Sequence, residues 1–527
     1  MKRKRFRLAL CSVSAAALLL GIATVGASAE EQPGLPAAYS SRDLGYVTSV
    51  KMQKFNSCWA YASMATLEST LLRAGYETEE MSTDHLNIWA TAHDDGSGWQ
   101  RGVTNDGYPN IALGYLTSWQ GGVFVSDTDE LSVLDPVTSD ELPVGPVRYG
   151  VTSVEYLFRD KPQDIKRCIM EHGGVYSSYG HTGSCLSADG LSYYLPPNYK
   201  GSYGGHSIEV VGWDDNYPRE SFNALADELP QHNGAWLIKN SWGDNNTLGG
   251  FFWLSYEDAY IFGNKYTPSY SFTGIEQLDG TKKLIQNEIY GATYEFNYLK
   301  SKQVTFLNHF SFDSEFDLID KVVFKTTALG ASYSIYFVPD TPESTPNADA
   351  ATWTKLYDGT VDYIGYLCAD IEDFAYPDSS GSIAVAMDTT ASGGDCTIGV
   401  GEWLSNTSGY VFVNQSRRGD SYLMQNGAVR DLMDWYKEDQ NDSIGGTFAI
   451  KAITVKGNRP TLLGDADLDG FVNITDVTTI QRHAAEHIQL TGTAAANADY
   501  NRDGVINIDD ATAIQRFLAE FAPETAF

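Results

Sequence analysis

The sequence predicts three successive folded regions: an α+β domain, an all-β sandwich-like domain and a small α-helical module. Three observations carry this. Helical and strand patterns alternate from about residue 46 to 265, short alternating apolar runs fill about 285 to 455, and an acidic loop at residue 465 recurs 34 residues later. The boundaries fall at 1–29 for a leader, then 30–270, 280–456 and 461–523. A chain of 527 residues has room for roughly two to four domains, and 43% hydrophobic residues with 13% aromatics exclude disorder for most of it.

The leader comes first. Lys2, Arg3, Lys4, Arg5 and Arg7 precede an apolar run from Leu8 to about Val25, and Ala27-Ser28-Ala29 offers a small-x-small cleavage pattern. This is the pattern of a signal peptide removed after Ala29. Cys11 invites a lipoprotein reading, which Leu10 opposes by standing where lipoproteins carry a small residue. No other stretch approaches the ~18–20 apolar residues that a bilayer span needs. A secreted, extracellular protein with no membrane span is expected.

The formal charge is −32, and without the leader's cations 31 basic residues face 68 acidic ones, a balance of about −37. Nucleic acid and anionic membranes attract the opposite sign, so both are excluded as partners.

Beyond the leader stand five cysteines, Cys58, Cys168, Cys185, Cys368 and Cys396. An odd count in an exported chain implies an intermolecular bond or a thiol reserved for chemistry. Cys168–Cys185 with Cys368–Cys396 is one of three pairings of the other four, and all four can equally stay reduced. Cys58 is the candidate for chemistry. It opens a helical pattern to Arg73 in which Ala60, Met64, Leu67 and Leu71 share a face, with Gly75 as the stop. Ser57 or Asn56 can cap this helix, which puts the sulfur at its positive end. A helix N-terminus with an imidazole partner can move a thiol pKa from ~8.5 to ~3–4, so a resident thiolate is expected. Such a nucleophile needs a base, a group that orients the base, and donors for an oxyanion. A buried structural cysteine needs none of these.

His206 and Asn240 supply the partners. His206 lies in Gly204-Gly205-His206-Ser207, a glycine-led entry into an apolar strand, and Asn240 ends another strand in Lys239-Asn240-Ser241-Trp242-Gly243. Together with Cys58-Trp59, and in this order, these segments resemble the papain-like cysteine peptidases. The Cys58–His206 separation of 148 residues fits the ~130–150 of that family, and the polar insertion 214–233 carries Asn240 beyond it. The resemblance covers about residues 43–260, including Met81-Ser82-Thr83-Asp84-His85-Leu86. It implies that Cys58 is the nucleophile, His206 the general acid and base, and Asn240 the orienter of the imidazole. Trp242 would shield the His–Asn hydrogen bond, and Gln53 with the Cys58 N–H would hold the oxyanion. No cofactor takes part in catalysis. His85, His93, His172 and His181 fall at non-catalytic positions. Gln53 precedes Cys58 by five positions, one fewer than usual, and Phe55 stands where the family often has a disulfide cysteine. Only about 15 residues separate Ala29 from the catalytic domain, too few for the usual inhibitory propeptide.

The middle region alternates in Ile383–Met387, Thr397–Val400 and Phe448–Ala452, with Phe448–Val455 as its closing strand. Its place after the protease resembles bacterial papain-like peptidases that carry a lectin-like domain. Trp353, Trp403 and Tyr410 could stack on sugar rings or peptide, but packing within the sandwich core is the favoured account of each, and no ligand is assigned.

Asn458-Arg459-Pro460 marks a linker to the last module, where each repeat presents oxygen-bearing residues at loop positions 1, 3, 5, 9 and 12 and glycine at 6. Calcium requires six to eight hard oxygens, and the glycine permits the turn that gathers them. Asp465, Asp467, Asp469, Asn473 and Asp476, with the Phe471 carbonyl, form one candidate site. Asp499, Asn501, Asp503, Asn507 and Asp510, with the Val505 carbonyl, form the other. Asp at position 12 and the missing entering helix set the module apart from a signalling EF-hand pair. The duplicated loop-helix unit resembles a type I dockerin, which implies two structural calcium ions and a cohesin partner. The docking face is expected to carry Ile480, Gln481 and Arg482 with their twins Ile514, Gln515 and Arg516. His483 and His487 are read as helix surface rather than a zinc pair.

The expectation is a secreted cysteine endopeptidase acting on peptide or protein substrates, held on a cell-surface cellulosome scaffold by its dockerin. The rival expectation is a catalytically weak or inactive peptidase-like adaptor that binds protein or carbohydrate.

Overall fold

In a computed structural model of the chain, the helix Cys58–Arg73 is buried on nearly every side from Trp59 to Leu71, so the single apolar face expected from the sequence understates its burial. Several of its polar residues are satisfied in place. The hydroxyls of Ser63, Thr66 and Thr70 donate to carbonyls four residues back. Glu68 accepts from Lys51 at 2.6 Å, from the backbone N–H of Met81 at 2.7 Å and from the Thr48 hydroxyl. The helix stops where Gly75 enters the left-handed region at φ +84°, and the N–H of Tyr76 then reaches the carbonyl of Leu71.

The structure describes residues 34–521 except 129–145, 223–227, 264–267, 298, 314, 317, 344, 377–379, 403, 408–409, 414–415, 426, 440–444, 457–461, 469–470, 486 and 491. The expected signal peptide, the linker Asn458-Arg459-Pro460, Trp403 and Asp469 lie outside the described residues, as does the side chain of Tyr410.

Behind the helix lies a twelve-stranded sheet. Its first-domain strands follow the order Tyr149–Leu157, Ser269–Gln277, Val175–His181, Gly204–Asp214, Ala235–Lys239, Phe251–Ser255 and Ser192–Tyr193. Beyond Tyr149–Leu157 the same sheet continues into the second domain through Gly365–Ala375, Leu318–Thr326, Ile450–Val455 and Lys282–Ile285. The seam pairs Gly365 with Glu155 and Tyr366 with Val154. Gly365 has φ +141°, and a Cβ there would sit 2.0 Å from the Val154 carbonyl oxygen, so only glycine allows this approach.

A six-stranded sheet runs Thr354–Thr360, Ser332–Val338, Ser380–Asp388, Gln303–Ser311, Ser421–Gln425 and Ala428–Asp431. Its Phe306, Ile335 and Val385 share a core with Val322, Phe324 and Ile450 of the large sheet, which makes the expected sandwich. The predicted closing strand is two strands. Gly446–Phe448 pairs with Ile398–Glu402, whereas Ile450–Val455 pairs with Leu318–Thr326 in the large sheet. Trp353 packs against Tyr336 and donates to the Asn347 carbonyl at 2.8 Å, so it serves the fold.

Between the two domains, Lys451 is buried with its ammonium group on the Thr117 carbonyl, the Ser118 hydroxyl and Glu288. In the third domain the helices Ile474–Ala484 and Ile508–Phe521 close on Ala466, Val477, Ile480, Ala498, Ala511 and Ile514. Ile480 and Ile514 are therefore core residues and not part of a docking face, while Gln481, Arg482, Gln515 and Arg516 are exposed as expected. The most exposed apolar side chains among its described residues are instead Phe471 and Ile474 with their repeats Val505 and Ile508. Among the described residues, no helix is long and apolar enough to cross a membrane.

Candidate active site

A cleft of about 610 Å³ separates the start of the helix Cys58–Arg73 from the strand Gly204–Asp214. Gln53, Cys58 and the segment Asp106–Pro109 line one wall, and His181, His206, Ser207 and Trp242 line the other. Cys58 is the first helical residue, and its position at that terminus comes from the turn before it. Phe55 takes a left-handed φ of 52°, and the Ser57 hydroxyl donates back to the Lys54 carbonyl. Ser57 occupies the cap position but makes no side-chain cap, contrary to the sequence expectation.

The His206 Nε2 lies 2.8 Å from Asn240 Oδ1. The same oxygen accepts the N–H of Ser241 at 2.8 Å, which fixes the amide so that it presents its oxygen to the imidazole. Nε2 is then the protonated nitrogen, and Nδ1 remains free to accept a proton. Trp242 lies flat on His206, with ring centroids 4.3 Å apart, and screens that hydrogen bond from water. Gln53 is tied to the same strand end. Its N–H donates to the Ser241 carbonyl at 2.7 Å, and its Oε1 accepts the Ser241 hydroxyl at 2.7 Å. Its Nε2 donates to the Phe55 carbonyl at 3.1 Å, leaving one amide hydrogen for another acceptor.

Burial governs the charges. It pushes the Cys58 thiol up, against the Ser207 N–H and hydroxyl, which pull it down. Burial also lowers the His206 imidazole to about 4, opposed by the Asn240 hydrogen bond. The resident thiolate expected from the sequence is thus not what the surroundings favour. Burial of each group favours its neutral form, while the Ser207 donors on the sulfur and the Asn240 hydrogen bond on the imidazole pull toward charge.

Two residues at the cleft escaped the sequence reading. Ser207 follows His206 directly, touches the Cys58 sulfur and shares a 2.7 Å hydrogen bond with the buried Tyr176 hydroxyl. Arg101 is buried and holds the opposite wall in shape, donating to the carbonyls of Ala90 at 3.0 Å and Asp106 at 3.1 Å. Ser207 adjoins a motif residue and could have been found from it. Arg101 left no such signal. Of the histidines set aside, His85 is buried on Tyr115, His93 packs on Tyr290 and His172 lies beside Glu171, but His181 lines the cleft. All five described cysteines are free thiols.

In the last module, carboxylate oxygens of Asp465, Asp467 and Asp476 lie within 4.8 Å of one another. Asp476 accepts the N–H groups of Ala466 and Asn473, and Asp510 repeats the arrangement with Asn501 and Asn507. The fourth loop residues, Leu468 and Arg502, both adopt left-handed φ, at 63° and 60°. The first loop gathers converging oxygens, a donor set that suits a hard divalent cation, and the second repeats its left-handed turn and its closing Asp.

A Cys–His–Asn arrangement across a helix-and-sheet cleft defines a thiol peptidase of the papain kind, and the sequence profile of papain family cysteine proteases matches residues 35–271. The chain belongs to that family. The lectin-like domain profile matches residues 284–454 and the dockerin type I profile 463–519. The solved structure of Cwp84, a clostridial cysteine protease after propeptide cleavage, is 32% identical, covers 80% of this chain and 99% of its own, and superposes with a TM-score of 0.69. A structure of the protease and lectin-like domains of Cwp84 from Clostridium difficile, a surface layer associated protein, is 31% identical over 80% of this chain and 89% of that one, with a TM-score of 0.69. Among curated relatives, cathepsin J of Rattus norvegicus is 24% identical over 44% of this chain, and a cysteine protease of Blomia tropicalis is 22% identical over 41%. The match spans 65% and 60% of the length of those two proteins.

Proposed function

We propose that this chain is an exported cysteine endopeptidase that hydrolyses peptide bonds through Cys58, His206 and Asn240. The observation that carries the reading is the 2.8 Å His206–Asn240 hydrogen bond in the cleft that Cys58 also lines. The Cys58 thiol passes its proton to His206 Nδ1 as the sulfur attacks the substrate carbonyl carbon. The tetrahedral oxyanion takes hydrogen bonds from the Cys58 N–H and the Gln53 amide. His206 then protonates the leaving amine, the C–N bond breaks, and an acyl-thioester remains. Water activated by His206 attacks that thioester, and the second tetrahedral adduct releases the acid and regenerates the thiol. No cofactor enters these steps.

The last module is the docking element. Its two loops would each hold one calcium ion, the first through Asp465, Asp467, Asp469, Asn473, Asp476 and the Phe471 carbonyl. The second would use Asp499, Asn501, Asp503, Asn507, Asp510 and the Val505 carbonyl. Bound calcium would neutralise the loops and hold the two helices together. The partner is a cohesin of a scaffold protein on the cell surface, which fits a relative described as surface layer associated.

The test is purified protein on a mixed peptide library, with product masses read out. Defined cleavage by wild type and none by Cys58→Ala supports the reading. Cleavage by the variant at the wild-type rate overturns it.

A further inference from the structure

His181 ends the strand Val175–His181, where it pairs with Gly204 beside the entry to the His206 strand. Its ring is held on three sides. Trp242 meets it edge-on at 4.8 Å, Tyr193 stacks on it at 5.8 Å, and the Tyr179 hydroxyl lies 3.0 Å from its Nδ1. Tyr179 is buried, and among the described residues that ring nitrogen is the partner of its hydroxyl. A buried phenol needs an acceptor, so Tyr179 donates and Nδ1 accepts. The hydrogen of the neutral imidazole therefore sits on Nε2. Burial lowers the imidazole's pKa and keeps the ring neutral at ordinary pH. Among the described residues Nε2 has no protein partner, and the ring lines the cleft.

The position of this donor along the substrate follows from the chemistry of the site. His206 delivers a proton to the departing amine, so the departing half of the substrate lies on the His206 side. Trp242 lies flat on His206, and His181 stands against Trp242, 6.4 Å from the His206 ring. The one carboxylate among the cleft's described lining residues is Asp106, on the wall opposite. The His181 side thus offers a fixed N–H with no anion of the protein beside it. A carboxylate is the strongest acceptor a peptide side chain can present to such a donor.

We propose that His181 is a specificity-determining residue on the leaving-group side, whose Nε2–H takes an Asp or Glu side chain within the first two residues after the scissile bond. The inference rests on the peptidase reading above and names the substrate class of its departing half.

The experiment uses the full chain and pairs of peptides that differ only in Glu against Leu at each of those two positions. Wild type is expected to favour Glu at one of them by about three- to tenfold in kcat/KM, the range of one hydrogen bond. His181→Phe keeps an aromatic ring against Trp242 but lacks the N–H; it should bring the ratio of kcat/KM for the Glu and Leu peptides to about one. His181→Gln restores a donor and should recover part of the preference. A wild type that cleaves both peptides equally at both positions overturns the inference and leaves the peptidase reading standing. A wild type that cleaves neither peptide overturns both. Equal loss of both activities in His181→Phe would make the ring purely structural and also overturn it.

Discussion

The ammonium group of Lys451 lies 3.1 Å from the carbonyl oxygen of Thr117. Thr117 closes the helix Pro109–Thr117, whose first residue stands in the cleft wall, and Lys451 belongs to a strand of the second domain. A cation at the carbonyl end of a helix complements its dipole. The β domain therefore supports the protease cleft from behind. Lys451→Met removes the cation and strands Glu288 in a buried site, which should cost about 3–5 kcal/mol. Urea denaturation should show this, and Lys451→Met combined with Glu288→Gln should recover part of it. An unchanged midpoint in the single variant would contradict the assignment.

The thiols should separate by accessibility and partner. Cys58 lines an open cleft beside His206 and Ser207, whereas burial holds Cys185 up at about 11 and also raises Cys168, Cys368 and Cys396. Iodoacetamide at neutral pH should label Cys58 first, and peptide mapping would identify it. Because burial raises the Cys58 thiol, the labelling rate should rise with pH without a plateau near neutrality. His206→Ala should slow it.

Burial of His206 sets an acid dependence with a definite sign. Its pKa falls from 6.5 to about 4, so the imidazole can still accept a proton well below pH 6. The acid limb of kcat/KM is expected near pH 4. Between about 6.5 and 4 the unfolded chain binds a proton here that the folded chain does not. Stability is therefore full above pH 6.5 and falls as pH drops through that window, by up to about 3 kcal/mol. Denaturation of wild type and His206→Gln at pH 7 and 4.5 checks this. The variant should lose less on acidification.

Chelation should act on the last module alone. Without a cation, Asp465, Asp467 and Asp476 crowd negative charge around a core of only a few apolar side chains. EDTA should unfold residues 464–521 and abolish cohesin binding while peptide cleavage persists. Separate and combined Arg482→Ala and Arg516→Ala variants test the exposed helix faces. If each single variant retains binding and the pair does not, either repeat can lead.

Much of this was legible in the sequence because the signals were local. Cys58-Trp59, His206 and Asn240-Ser241-Trp242 each adjoin distinctive neighbours, and the acidic twelve-residue loop repeats its spacing 34 residues later. What escaped depends on distant packing. Nothing near Gly365 announces that its strand joins Tyr149–Leu157, since the reason is the space at Val154. The placing of Ile480 as a docking residue failed because its helix turns that side chain onto the small core with Val477, Ala511 and Ile514, a packing that the loop-helix repeat does not announce. The upward pull of burial on the Cys58 thiol escaped for a related reason. A motif gives the partners of Cys58 but not how deeply they are buried.

The seam at Gly365 also restricts how such a protein can be divided or inherited. A sheet that crosses a domain border offers no clean place to cut. Parting the two halves would bare the edges of Tyr149–Leu157 and Gly365–Ala375, and exposed strand edges are adhesive toward other chains. A homologous β domain grafted onto this protease would have to bring a strand of matching register with glycine at the crossing. The pair is best regarded as one heritable unit.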